Sequence, residues 1–186
     1  LMAQPFDVKR METTAEAVPI VEQIQRLLIN SPMGVFSASE GGLLAFQSGE
    51  GGGGSTQLTW FDRAGKQIGV LGDPAFYTDP ELSPDGTRAS VSVLDQASGT
   101  QDVWVYDIAR GLRTRLTFDP SEERTSIWSP DGSRIVFDSR RKGHFDLYQK
   151  PSSGAGAEEL LIESDIDKVY LSWSPDGRSI LYGTSN

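Results

Sequence analysis

TSIWSPDGSRIVFDS, residues 125–139, sets a four-residue turn between two short apolar runs. Proline fixes φ near about −65° at the second turn position, aspartate suits the third, and glycine takes the left-handed conformation at the fourth. Pro130, Asp131 and Gly132 stand in that order, and the Ser129 hydroxyl can bond back to the turn. The stretch therefore predicts a tight hairpin, a type I turn with a G1 bulge, flanked by two strands.

The same four letters begin at Ser83, Ser129 and Ser174, at intervals of 46 and 45 residues. A worn copy, SASEGGLLAF, puts Ala38 at the matching place one interval upstream and aligns Phe46 with Phe137. A second block travels with the turn: QLTWFDRAGKQIGVL from Gln57, DVWVYDIARGLRTRLT from Asp102 and DLYQKPSSGAGAEELLI from Asp146, with LMAQPFD at the start resembling it. Each pairs two short strands around a polar turn. Val103, Val105 and Leu147 alternate with other residues at the period of two expected of half-buried strands.

Four strands in roughly 45 residues is the mark of a β-propeller blade, in which neighbouring sheets bury one another's faces. The predicted fold is all-β, a propeller of four-stranded antiparallel blades. A partial blade is expected over residues 1–30, blades over 31–75, 76–121 and 122–166, and the opening strands of a further blade over 167–186. Gly, Pro and Asp punctuate the repeat too often for paired helices. The one segment with a helical pattern, AVPIVEQIQRLL at 17–28, carries Pro19 and reads equally as strand plus loop. Trp128, Trp173 and Leu82, each just before its Ser, are expected to pack between neighbouring sheets as core.

Composition removes several classes of function. The chain has 186 residues, 37% of them hydrophobic, enough to bury a sizeable core. A formal charge of −9 argues against a nucleic-acid or anionic-membrane surface, which needs a basic stripe. There is no cysteine and a single histidine, His144, so thiolate chemistry and His-rich metal sites are excluded. No apolar run reaches the ~18 residues of a membrane span, and no membrane insertion by this segment is expected.

These WSPDG hairpins, followed by strands such as GTQDVWVYD and GHFDLYQKP, resemble the TolB-like propeller repeat, which is related to the WD-type repeats but lacks their GH and WD dipeptides. The wording of LMAQPFDVKR, LTWFDRAGKQIG and FDLYQKPSSGAG further resembles the propeller region C-terminal to the kinase domain of bacterial, especially acidobacterial, receptor-like serine/threonine kinases. That resemblance implies an extracytoplasmic, sensor-like module and favours a slice of a six- to eight-bladed propeller. The alternative is a four-bladed ring closed by pairing the leading and trailing half-blades. The repeat is also similar to the propeller that covers the active site of prolyl-oligopeptidase-type enzymes. Neither catalytic apparatus is written here: HRD, DFG and GxSxG are all missing. The glycine run GEGGGGST, 49–56, lacks the Gly-Lys-Ser/Thr ending of a phosphate loop and reads as a hairpin tip. The turn also departs in spacing from the SxDxGxxW box of sialidase-type propellers.

Binding is therefore sought where the copies differ. Residues just before each innermost strand rim one mouth of a propeller channel, and by repeat alignment they are Tyr77, Thr78 and Asp79; Glu123, Arg124 and Thr125; Lys168, Val169 and Tyr170. These triplets diverge while turns and strands stay alike, as expected of a recognition surface on a rigid scaffold. Tyr77, Asp79, Glu123, Arg124, Lys168 and Tyr170 are the predicted contacts, for a protein, a peptide or a small ligand. The basic run Arg140, Arg141, Lys142 with His144 is expected to be a solvated link. The acidic pairs Glu122 with Glu123 and Asp165 with Asp167 lack the rest of a calcium loop. No catalytic residue, cofactor or metal is predicted.

Overall fold

In the computed structural model, residues 2–20, 36–38, 44–48, 55–62 and 64–185 are described. They form strands and turns with no helix among them. Near the start, β1 (Met2–Ala3) pairs with β4 (Val18–Pro19), and β2 (Phe6–Asp7) with β3 (Glu12–Thr13). Three four-stranded antiparallel sheets follow in strict chain order. The first holds β5 (Phe36–Ala38), β6 (Leu44–Ser48), β7 (Thr56–Phe61) and β8 (Gln67–Ala75). The second holds β9 (Tyr77–Leu82), β10 (Arg88–Asp95), β11 (Thr100–Asp107) and β12 (Leu112–Arg115). The third holds β13 (Glu123–Trp128), β14 (Arg134–Ser139), β15 (Asp146–Pro151) and β16 (Glu159–Ile162). A two-stranded sheet of β17 (Asp167–Trp173) and β18 (Ile180–Ser185) completes the series. The expected helical segment falls on β4 and then on residues outside those described, as do residues 49–54 of the glycine run.

The turns are built as their residues dictate. Gly132 N–H donates to Ser129 O at 2.8 Å, closing the turn, and Gly132 has φ 68°. Ser129 Oγ donates to Asp131 Oδ1 at 2.6 Å and accepts from the Arg134 N–H at 2.9 Å. Ser83 and Ser174 repeat this with Asp85 and Asp176. The serine thus replaces a strand carbonyl in the ladder, which sets the register of the hairpin.

Blades hold together through their faces. One core joins Leu58, Trp60 and Leu71 of the first sheet to Tyr77, Leu82, Val91 and Tyr106 of the second. Another joins Val103, Val105 and Leu116 of the second to Trp128, Ile135, Phe137 and Tyr148 of the third. Central strands are therefore buried on both sides rather than half-buried, because each sheet is sandwiched: Val103 and Val105 enter one core and Tyr106 the other. Trp128 is buried as expected, its ring under the Arg88 guanidinium at 4.6 Å and its indole N–H donating to Glu81 O at 3.3 Å. Trp173 is only partly buried. The innermost strands β5, β9, β13 and β17 touch in succession, which places them around one axis.

Candidate recognition site at the channel mouth

The predicted triplets open β9, β13 and β17 instead of preceding them, and this changes what half of them do. Tyr77, Glu123 and Lys168 are 1%, 0% and 0% exposed, so they are interior residues and not a rim. Strand alternation is the reason: Tyr77 and Glu123, first in β9 and β13, and Lys168, second in β17, all take the face turned into the blade interface. Tyr77 shares a 2.9 Å hydroxyl contact with Tyr106 and donates to Asp73 O at 2.6 Å, and burial raises its pKa above the ordinary tyrosine value. Lys168 Nζ donates to Asp146 Oδ1 at 2.7 Å and to Ile166 O at 3.3 Å, a fully enclosed ion pair between the third sheet and β17. Tyr170 lies in β17, and its side chain is outside the described set.

Glu123 heads a buried charge network. It accepts from Arg141 and from Ser139 Oγ, while Arg141 also donates to Glu158 Oε2 at 2.6 Å and lies 3.7 Å from Asp119. Lys150 Nζ adds a 2.7 Å bond to Leu116 O. Burial pushes the Glu123 carboxyl up to about 7, with the Thr117 hydroxyl pulling down and the nearby Glu158 charge pushing further up. Arg141 is thus no solvated link: its side chain is 18% exposed and its guanidinium stacks 4.1 Å from the Tyr148 ring centre. Arg140, Lys142 and His144 stay about half exposed, with side chains at 52%, 46% and 50%.

What remains at the mouth is a set of partly exposed charges around the start of β13 and β9: Glu122, Arg124 and Asp79. The side chains of Glu122 and Arg124 are 33% and 32% exposed. Asp79 is partly exposed. Asp79 and Thr125 hold the same place in successive repeats, and both have positive φ, 51° and 49°. Each sits where the inner strand slips register against its neighbour. A left-handed non-glycine residue costs of order 1–3 kcal/mol and persists only where its surroundings impose it. Arg124 lies flat on Phe145, 3.8 Å from the ring centre, with Nε 3.6 Å from Asp138 Oδ2 and Nη1 3.8 Å from Glu122. Asp138, on β14 and 0% exposed, has neither carboxyl oxygen hydrogen-bonded, and the Arg124 Nε likewise lacks an acceptor. Burial pushes Asp138 up to about 8; the Arg124 charge and the Thr125 side chain oppose this, and Asp79 and Glu122 reinforce it. Asp79 is raised chiefly by burial, against the Thr78 hydroxyl, the Arg124 charge and the Thr125 N–H.

Asp138 was invisible to the rim alignment, yet it stands where the other repeats have Ser92 and Gly183. An acid directly following the apolar run of Ile135, Val136 and Phe137 within one strand is the signal for it. At the opposite, hairpin end of the inner strands lies a groove of about 440 Å³ lined by Pro84, Trp128, Pro130, Trp173 and Pro175. Among the described residues, no group of three or more His, Asp or Glu is arranged to hold a metal ion.

Sheets of four antiparallel strands in radial succession make this a β-propeller, and comparison with known proteins gives the family. Residues 25–186 match the family model described as the TolB beta propeller domain, and the chain belongs to that family. It is 37% identical over 114 residues to the uncharacterized peptidase YuxL of Bacillus subtilis (strain 168), a match covering 58% of this chain and 17% of that protein. It is 32% identical over 108 residues to the Tol-Pal system protein TolB of Anaeromyxobacter dehalogenans, covering 55% of this chain and 23% of the relative. The crystal structure of TolB from Acinetobacter baumannii superposes with a TM-score of 0.65 at 20% identity, over 80% of this chain and 36% of that one. The matches thus span less than a quarter of the length of these two sequence relatives.

Proposed function

We propose that this propeller is a non-catalytic recognition module that receives a protein or peptide at the channel mouth formed by Asp79, Glu122 and Arg124. The observation that carries the reading is that variable, charged, partly exposed residues sit on an otherwise repeated and rigidly packed scaffold. The parent protein is proposed to be a bacterial receptor-like serine/threonine kinase, with this segment as its extracytoplasmic sensor; the wording shared by LMAQPFDVKR and FDLYQKPSSGAG supports it. A peptide selected for binding to the chain tests the site. Asp79→Asn and Arg124→Ala should each weaken it at least tenfold, and unchanged affinity in both removes the mouth as the site.

A second reading has its own support. The 37% identity to a protein named as a peptidase favours a propeller attached to a peptidase domain, gating substrate access. The neighbouring reading frame separates the two: an upstream kinase with a membrane helix supports the first, and a downstream GxSxG hydrolase supports the second.

A further inference from the structure

Resting on the mouth as the binding site, we propose that the partner presents a cationic side chain, a lysine or an arginine, to the carboxyl groups of Asp79 and Asp138. Three carboxyl groups, those of Asp79, Glu122 and Asp138, gather around the Arg124 guanidinium, while Arg140, on the same Phe145 ring, is directed to Asp167. The deepest of them is wholly buried, and apart from a weak approach by the Thr125 side chain neither of its oxygens meets a donor in hydrogen-bond geometry. A buried carboxyl group so poorly supplied with donors is costly, and a folded protein ordinarily satisfies such a group. Arg124 does not meet the need. Its nearest approach to Asp138 is 3.6 Å, beyond hydrogen-bond reach, because its plane is held against Phe145. Asp79, Glu122 and Arg124 are each partly exposed and Asp138 is buried beside them, so the cluster is approached from their solvent side, with an incoming ammonium or guanidinium leading. A basic side chain supplies several N–H donors, and its charge favours the ionised form of the Asp138 carboxyl that burial otherwise disfavours. The ligand set for a metal ion is absent among the described residues, which favours an organic cation. The overall charge of −9 would draw a basic segment toward this surface.

A random heptapeptide display library, panned against the chain, tests this. Selected peptides are measured against wild type, Asp79→Asn, Asp138→Asn and Arg124→Ala, each variant first confirmed folded by circular dichroism. The expected result is mouth-dependent peptides enriched in Lys or Arg. Replacing that residue with citrulline or norleucine should lower affinity at least tenfold, and Asp138→Asn should do the same. Mouth-dependent peptides that lack a basic residue, or that tolerate the neutral replacement, overturn the cation proposal and leave the recognition site standing. Peptides indifferent to all three variants overturn both. Calcium chloride alone binding in the same range, with loss on Asp138→Asn, would assign the cluster to a metal and also overturn the proposal.

Discussion

At the scale of single residues, Asp138 and Glu123 on one side and Asp131 on the other have opposite pH behaviour. Asp138 and Glu123 are held up at about 8 and about 7 by burial. Both bind their protons more tightly folded than unfolded, so their contribution is fully present below the ordinary carboxyl range near ~4 and is lost as pH rises through those values. Asp131 is held down at about 2 by Ser129 and Ser133, so its contribution is lost as pH falls below ~4. Thermal unfolding followed by circular dichroism should therefore show stability declining between about pH 4 and pH 8. Asp138→Asn should match wild type near pH 5 and exceed it at pH 8.5; a variant less stable than wild type at pH 8.5 would contradict the assignment. Little of this was legible from residue type alone. Repeat alignment places Tyr77, Glu123 and Lys168 at the rim because it locates a residue along a strand but not the face it takes. Tyr77, Glu123 and Lys168 took the inward face.

The hairpin is the element that sequence resolves best, because its chemistry is local. Pro, Asp and Gly fix the turn, and the Ser hydroxyl bonds within six residues of itself, so no distant contact is needed to read it. Gly132→Ala should cost about 1–2 kcal/mol, the penalty of a left-handed β-carbon, since the added atom meets nothing closer than 3.7 Å. Gly72→Ala should cost more at the same positive φ, because its β-carbon would lie 2.5 Å from the Tyr106 hydroxyl. Urea unfolding of the two variants checks the order. The contacts between elements were less legible. That a tryptophan before the Ser would be buried follows from the pattern; that Arg88, on the preceding blade, covers Trp128 and donates to Gly132 O and Ser152 does not. Trp128→Ala should destabilise by about 3–5 kcal/mol in the same assay.

Across the whole molecule, the repeat accounts for what is alike and recognition for what is not. Sheet order and inter-blade cores follow from a unit of roughly 45 residues used again and again. The buried charge network around Arg141 and the cluster around Asp138 are departures from that unit. Both lie toward the mouth end of the third sheet, where Glu123 pairs with Ser139 and Arg124 with Asp138. One end of the inner strands is thus built from repeated turns and the other from individual charges. Hydrogen–deuterium exchange of the chain with and without a display-selected peptide decides between the two ends most directly. The account predicts new protection in segments 77–79, 122–125 and 138–146, with the turns at 83–86 and 129–132 unchanged. Protection confined to those turns and the Trp128–Trp173 groove would contradict it.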